Sequence, residues 1–194
     1  VARRVRSVIE TRLGLRVIMT RDDDRLVSIS DRAALANNNK ADLLISLHAN
    51  AAFRPSVSGA TIYVASFDEA TTPARPSATD RLPAIGGGIR DLELVPWNLA
   101  QQRFVNQSDT FANLLADAFK DRVPLSARSV DHAPLRVLKS ANMPAVLVEL
   151  GYLTNEDQEK QLANNEFQGV VAQAIVDTIA RIRDTGVPSE GAAR

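Results

Sequence analysis

Between Pro144 and Asn155 the chain reads Pro-Ala-Val-Leu-Val-Glu-Leu-Gly-Tyr-Leu-Thr-Asn. From Ala145 to Leu150 every residue but one is apolar, the pattern of a strand buried on both faces. Such strands belong to α/β sheets covered by helices on either side, and no other stretch constrains the fold as tightly. The exception is Glu149. A carboxylate in that setting is unfavourable unless it emerges at the strand's end, where open α/β sheets place ligand sites, or meets a metal or a base. A second run of the same character, Leu43-Leu44-Ile45-Ser46-Leu47-His48, also ends in a titratable group. Two buried strands that each deliver one polar side chain at their exit define a candidate site.

The elements around these strands follow from periodicity. Val1, Val5, Val8, Ile9 and Leu13 recur at helical spacing, with Gly14 as C-cap. Leu15 to Thr20 reads as a strand, and Arg21 to Arg25 as the polar turn at its exit. Asp22, Asp23 and Asp24 fit turn and cap chemistry better than a metal site. Ser28 or Ser30 caps a helix through Lys40, and Gly59 to Ala65 gives another strand. From Asp68 to about Arg90 the composition turns to Thr, Pro, Ala and Gly, so no regular element is expected there. Loops of that length tend to be functional lids or inserts. With its base around Trp97, a substrate platform or a packing residue, the insert runs over about 68–98. Ser108 opens a helix ending near Arg122, which Leu99 to Phe104 begin or precede. Pro134 to Leu138 reads as a short strand. Asn155 and Gln158 have capping-box spacing, and Phe167 to Arg183 forms the last helix, before a frayed tail at 185–194. The expectation is a three-layer α/β/α domain over 1–184, with a mostly parallel twisted sheet flanked by helices.

Lysine plus arginine equal aspartate plus glutamate, 23 against 23, so no nucleic-acid footprint is expected. No cysteine occurs, which excludes disulfides, thiolate catalysis and cysteine-bound metal. No run of about 18 apolar residues is present to span a membrane. Val1 to Gly14 reads as an arginine-studded amphipathic segment rather than a secretion signal. It starts inside a helical pattern, so the sequence is expected to continue upstream.

Histidine occurs twice, at 48 and 132. A neutral imidazole at a strand exit suits zinc, although a lone histidine there is as often structural. Joined to Glu149, it suggests metal-assisted hydrolysis, in which the metal acidifies a water and the carboxylate takes its proton.

Several segments in order carry a resemblance: Thr20-Arg21-x-x-Asp24 leading to Arg32 and Ala36-Asn37, Ala41 through Ser46-Leu47-His48-Ala49-Asn50-Ala51, Gly59-x-x-x-Tyr63, and Val137-Leu138 through Met143-Pro144 to Asn155. Together they resemble the zinc-dependent N-acetylmuramoyl-L-alanine amidases (amidase type 3), bacterial cell-wall enzymes that cut the stem peptide from the glycan. The resemblance implies Zn2+ as cofactor, peptidoglycan as substrate and a periplasmic or extracellular place of work, with cell division as a setting. His48 matches the family's last zinc-binding histidine and Glu149 its catalytic glutamate. The other two ligands, a histidine in a Gly-His-Gly-Gly turn and a glutamate on the next helix, have no counterpart and are expected upstream of Val1, with the first strand. As it stands the chain should therefore bind zinc poorly. Asn50 and His132 are candidate substrate contacts, each with a loop role as the plainer reading. Arg21, Asp24, Arg32 and Asn155 brace the site, and Tyr152 shares the turn after the catalytic strand. The 68–98 insert falls where some members carry a regulatory segment displaced by an activator protein. Two other functions fit the same residues: a silent peptidoglycan-binding module, or a zinc peptidase acting within the stem peptide.

Overall fold

The computed structural model describes residues 1–67, 81–83, 89–91 and 97–185. Helix α1 (Ala2–Val8) runs into a π-helical turn, Ile9–Leu13, closed by Gly14 in the left-handed conformation. Helix α2 (Ile29–Asn38) starts where Ser28 accepts a hydrogen bond from the Asp31 N–H at 3.1 Å, the cap expected of that serine. Strands β1 (Leu44–Asn50) and β2 (Ala60–Ala65) follow. Within the insert, β3 (Arg81–Pro83) and β4 (Ile89–Asp91) pair antiparallel, where no regular element was expected. The rest of the insert as far as residue 96, and the tail from residue 186, lie outside the described residues. A 3-10 segment, Trp97–Phe104, leads into α3 (Val105–Phe119), then β5 (Leu125–Ala133), α4 (Arg136–Lys139), β6 (Ala145–Tyr152), α5 (Glu156–Ala163) and α6 (Asn165–Thr185).

The main sheet has the order β1-β6-β2-β5. Strands β1 and β6 are parallel, β2 and β5 are parallel, and β2 meets β6 antiparallel. Two of the three pairings are thus parallel, and the sheet is mixed. One face carries Ile62, Val64, Val146 and Val148 against α1, α3 and α6. The other carries Leu44, Ala65, Ala145 and Leu147 against α2 and α4. That is the expected three-layer arrangement, and the apolar runs of β1 and β6 follow from burial on both sides.

Two expected strands differ. Pro134 to Leu138 is no strand: β5 ends at Ala133, and Val137 and Leu138 face the core from α4. Proline at the strand's end removes the next ladder donor and suits the start of a helix. Leu15 to Thr20 has no regular secondary structure. It lies across from the outer edge of β1, but a cavity of about 790 Å³ separates the two, lined by Val17, Met19, Leu35, Leu44, Leu47 and Ile179 among others. A strand is defined by its ladder, and among the described residues this segment has no neighbour to pair with.

Close approach fixes the far side. Gly59 has φ +96°, and a Cβ there would sit 2.4 Å from the Ser126 backbone nitrogen. Only glycine lets β2 enter against β5 at this point.

Candidate active site

His48 and Glu149 are directly opposed across the β1–β6 ladder. Paired residues in a ladder project to the same side, so both side chains leave the sheet on the face covered by α2 and α4. Strand period 2 adds Ser46 to that face from β1. Thr61 stands opposite Glu149 from β2. The pair sits near the carboxyl ends of two parallel strands, where open α/β sheets bind ligands. Just beyond it the register shifts, with Asn50 opposite Tyr152. Between these pairs β6 supplies Leu150 and Gly151 against Ala49 alone, a bulge of the kind that re-aims side chains beside sites.

The two groups are tuned in opposite directions. Burial lowers the pKa of His48, and the charges of Arg32 and Arg21 lower it further, so the ring is neutral at physiological pH. Burial raises the pKa of Glu149 above the ordinary carboxylate range. One Glu149 oxygen, Oε2, is buried without a hydrogen-bond partner, which natural proteins tolerate chiefly where the group has a task. His48 Nε2 lies 2.8 Å from Ser46 Oγ.

The rim beyond the pair is tied down. The Leu153 N–H donates to the Asn50 carbonyl at 2.8 Å, Ala52 N–H to Thr154 Oγ1 at 3.0 Å, and Asn155 Nδ2 to the Pro55 carbonyl at 2.8 Å. Asn155 also caps α5 by accepting from Gln158 N–H at 3.1 Å. Gln158 does not complete a capping box; its Oε1 instead accepts from the Tyr152 N–H at 3.0 Å. Asn50 spends its Oδ1 on the Ala51 N–H at 2.8 Å, holding the loop after β1. Arg21 donates to the Arg25 carbonyl and Arg32 to the Val27 carbonyl, while Asp24 stands in solvent 4.0 Å from Arg21. The two arginines reach the site through their charge, and Asp24 only through Arg21.

His132 is placed elsewhere. It pairs in register with Val64, on the opposite face of the sheet, and its Nε2 lies 2.8 Å from Asp109 Oδ1 on α3. An odd number of strand positions separates the two faces, so the structure does not bring this histidine to His48 and Glu149. Ser46 and Thr61, in contrast, share the site's face without having been singled out. The available signal was spacing: a polar residue two positions before the strand-exit histidine.

The zinc that the resemblance implies can be tested against these donors. In kind they fit: a neutral imidazole suits zinc, and an unpartnered carboxyl beside it suits a zinc-bound water. In number they fall short, because among the described residues no three His, Cys, Asp or Glu side chains cluster to hold a metal, and a catalytic zinc normally takes three protein ligands.

Comparisons with known proteins bear on the family and the fold. A family model described as N-acetylmuramoyl-L-alanine amidase matches residues 1–181. The chain is 29% identical over 198 residues to the N-acetylmuramoyl-L-alanine amidase AmiC of Neisseria meningitidis serogroup B, covering 98% of this chain and 47% of that one. It is also 29% identical over 183 residues to AmiC of Escherichia coli O6:H1, covering 91% and 44%. The chain thus spans about half the length of the curated relatives it matches. Among solved structures, an N-acetylmuramoyl-L-alanine amidase from Clostridium difficile 630 superposes with a TM-score of 0.70 at 26% identity, covering 98% of this chain and 81% of that one.

Proposed function

Because the chain belongs to the N-acetylmuramoyl-L-alanine amidase family, we propose that it hydrolyses the amide between N-acetylmuramic acid and the L-alanine of the peptidoglycan stem peptide. The observation that carries the reading is the His48–Glu149 pair, in register on one sheet face with a buried, unpartnered carboxyl oxygen. Glu149 is the general base. It takes a proton from the attacking water and passes it to the leaving L-alanine amine. Its raised pKa matches it to that exchange better than an ordinary carboxylate would be. His48 is a zinc ligand, kept neutral by burial and by Arg32 and Arg21. Zinc, when bound, polarises the amide carbonyl and lowers the pKa of water.

The remaining ligands belong, in this reading, to a strand that fills the cavity beside β1. Support comes from the cavity itself: protein interiors are close-packed, yet here a groove lined by apolar side chains and by Arg21, Arg32 and His48 lies between the β1 edge, which has no strand partner among the described residues, and the extended segment 15–20. One strand would pair with both sides, and its end would emerge beside His48 and Arg21, which line the same cavity. Peptidoglycan is the partner and the cell wall, periplasmic or extracellular, the place of action. No helix among the described residues is long and apolar enough to cross a membrane. An activator acting on the 68–98 insert concerns side chains outside the described residues.

The single zinc donor in the described chain also fits a wall-binding module without turnover. The test separates the two. In the complete gene product, Glu149→Ala should leave one zinc per chain and abolish release of stem peptides from purified peptidoglycan. A wild-type product that releases no stem peptides refutes the amidase assignment, and a Glu149→Ala variant that still cuts refutes Glu149 as its general base.

A further inference from the structure

We propose that Phe53 and Leu153 form a lip on which the sugar ring beside the scissile amide stacks. The inference rests on the reading of the His48–Glu149 pair as an amidase site and adds how the glycan side of the substrate is held.

Six large apolar side chains are exposed among the described residues: Leu15, Ile18, Leu26, Ile29, Phe53 and Leu153. Leu15 and Ile18 line the cavity beside β1. The other four gather at one end of the sheet, where His48 and Glu149 emerge. Phe53 lies just past the end of β1 and Leu153 directly follows β6, while Leu26 and Ile29 stand at the start of α2, the helix whose far end leads into β1. Single exposed apolar residues are ordinary on a protein surface; their concentration at the mouth of one site is not.

The loops that carry Phe53 and Leu153 are fastened to each other beside these two residues, by Ala52 N–H on Thr154 Oγ1 at 3.0 Å, Leu153 N–H on the Asn50 carbonyl at 2.8 Å and Asn155 Nδ2 on the Pro55 carbonyl at 2.8 Å. Among the described residues nothing covers the Phe53 ring, at 108% exposure, although its backbone is held on either side. Such a ring has only two χ angles to fix, so stacking on it costs little entropy. A pyranose is the partner that fits. Its flat side presents C–H groups, which meet the negative face of an aromatic ring favourably. Next to the scissile bond the peptide offers only the L-alanine methyl, too small to cover a phenyl ring. From Asn50 to Val57 and from Leu150 to Asn155 the sole charged residue is Arg54, so the lip lacks the charge pattern of an ionic docking site and suits a neutral ring.

The test measures binding of the complete gene product to glycan strands stripped of their stem peptides. Phe53→Ala should weaken that binding about 3–10-fold while keeping the wild-type circular dichroism and melting midpoint, and Phe53→Trp should restore it. With intact peptidoglycan the same loss should fall on KM, leaving kcat within about twofold, because the ring holds the sugar and touches no reacting atom. A wild type that does not bind stripped glycan overturns the inference, as does a Phe53→Ala variant that binds it as tightly as the wild type. The two proposals fail separately. Glycan binding that depends on Phe53 without any release of stem peptides leaves the lip standing and removes the amidase reading; release of stem peptides with the same KM in Phe53→Ala does the reverse.

Discussion

Glu149 is a carboxyl group set partly into the core, with one oxygen that no described residue bonds. Its raised pKa has a definite consequence for stability. As pH rises, the unfolded chain gives up this proton first, so the folded state is disfavoured from the ordinary carboxylate range upward, and the loss is complete above the folded value. Replacing the acid by an amide removes that penalty. Glu149→Gln should therefore melt above the wild type at pH 7, and the difference should shrink toward zero near pH 3, where both side chains are neutral. A variant that melts lower at pH 7 would show that the carboxylate is stabilised by contacts not described here. Under the proposed chemistry the same variant should lose about 10²–10⁴-fold in turnover, and wild-type turnover should fall on acidification at a pH above that of an unperturbed carboxylate. At this scale much was legible. His48 and Glu149 stand out because titratable residues rarely end apolar strands. Ser46 did not, since a serine inside an apolar run reads as a tolerated interruption. His132 misled because rarity of a residue type says nothing about which face of a sheet it lies on.

Elements were legible in proportion to their burial. Strands β1 and β6 are covered by helices on both sides and show it as apolar runs. Strand β5 is an edge strand with partly exposed side chains, Leu-Ser-Ala-Arg-Ser-Val-Asp-His-Ala, and such a sequence has no run to read. Leu15 to Thr20 has the composition of a strand but not the neighbour. Ser108, expected to open a helix, instead lies four residues inside α3, fully buried. Its hydroxyl donates to the Phe104 carbonyl at 2.9 Å and accepts from Gln101 Nε2 at 3.0 Å and from the Ala145 N–H at 2.9 Å. It thus ties the first residue of β6, the strand that carries Glu149, to the helix behind it. Ser108→Ala leaves the Ala145 N–H and the Gln101 amide without partners, and should destabilise the fold by about 1–3 kcal/mol, read from chemical denaturation. A change below about 0.5 kcal/mol would mean that water or another group takes over the bond.

At the scale of the molecule the three-layer fold follows from the sequence pattern, whereas the cavity beside β1 is not legible in the periodicity of any one segment, because it is a relation between segments. A groove of about 790 Å³, lined by apolar side chains together with Arg21, Arg32, Lys40 and Asp42, lies where a close-packed fold would leave little space. Under the proposal that a further strand fills this space, a longer chain carrying that strand should melt at least about 10 °C above the 194-residue chain, given a response of roughly 2–4 °C per kcal/mol. Equal midpoints would count against an added strand. The central claim, that the strand-exit pair His48 and Glu149 serves an amidase, is tested most directly by the fragments that the zinc-loaded complete product releases from purified peptidoglycan. Mass analysis should find intact stem peptides beginning with free L-alanine and glycan chains whose lactyl groups have become carboxylic acids. Fragments cut within the stem peptide, with L-alanine still attached to the glycan, would contradict it.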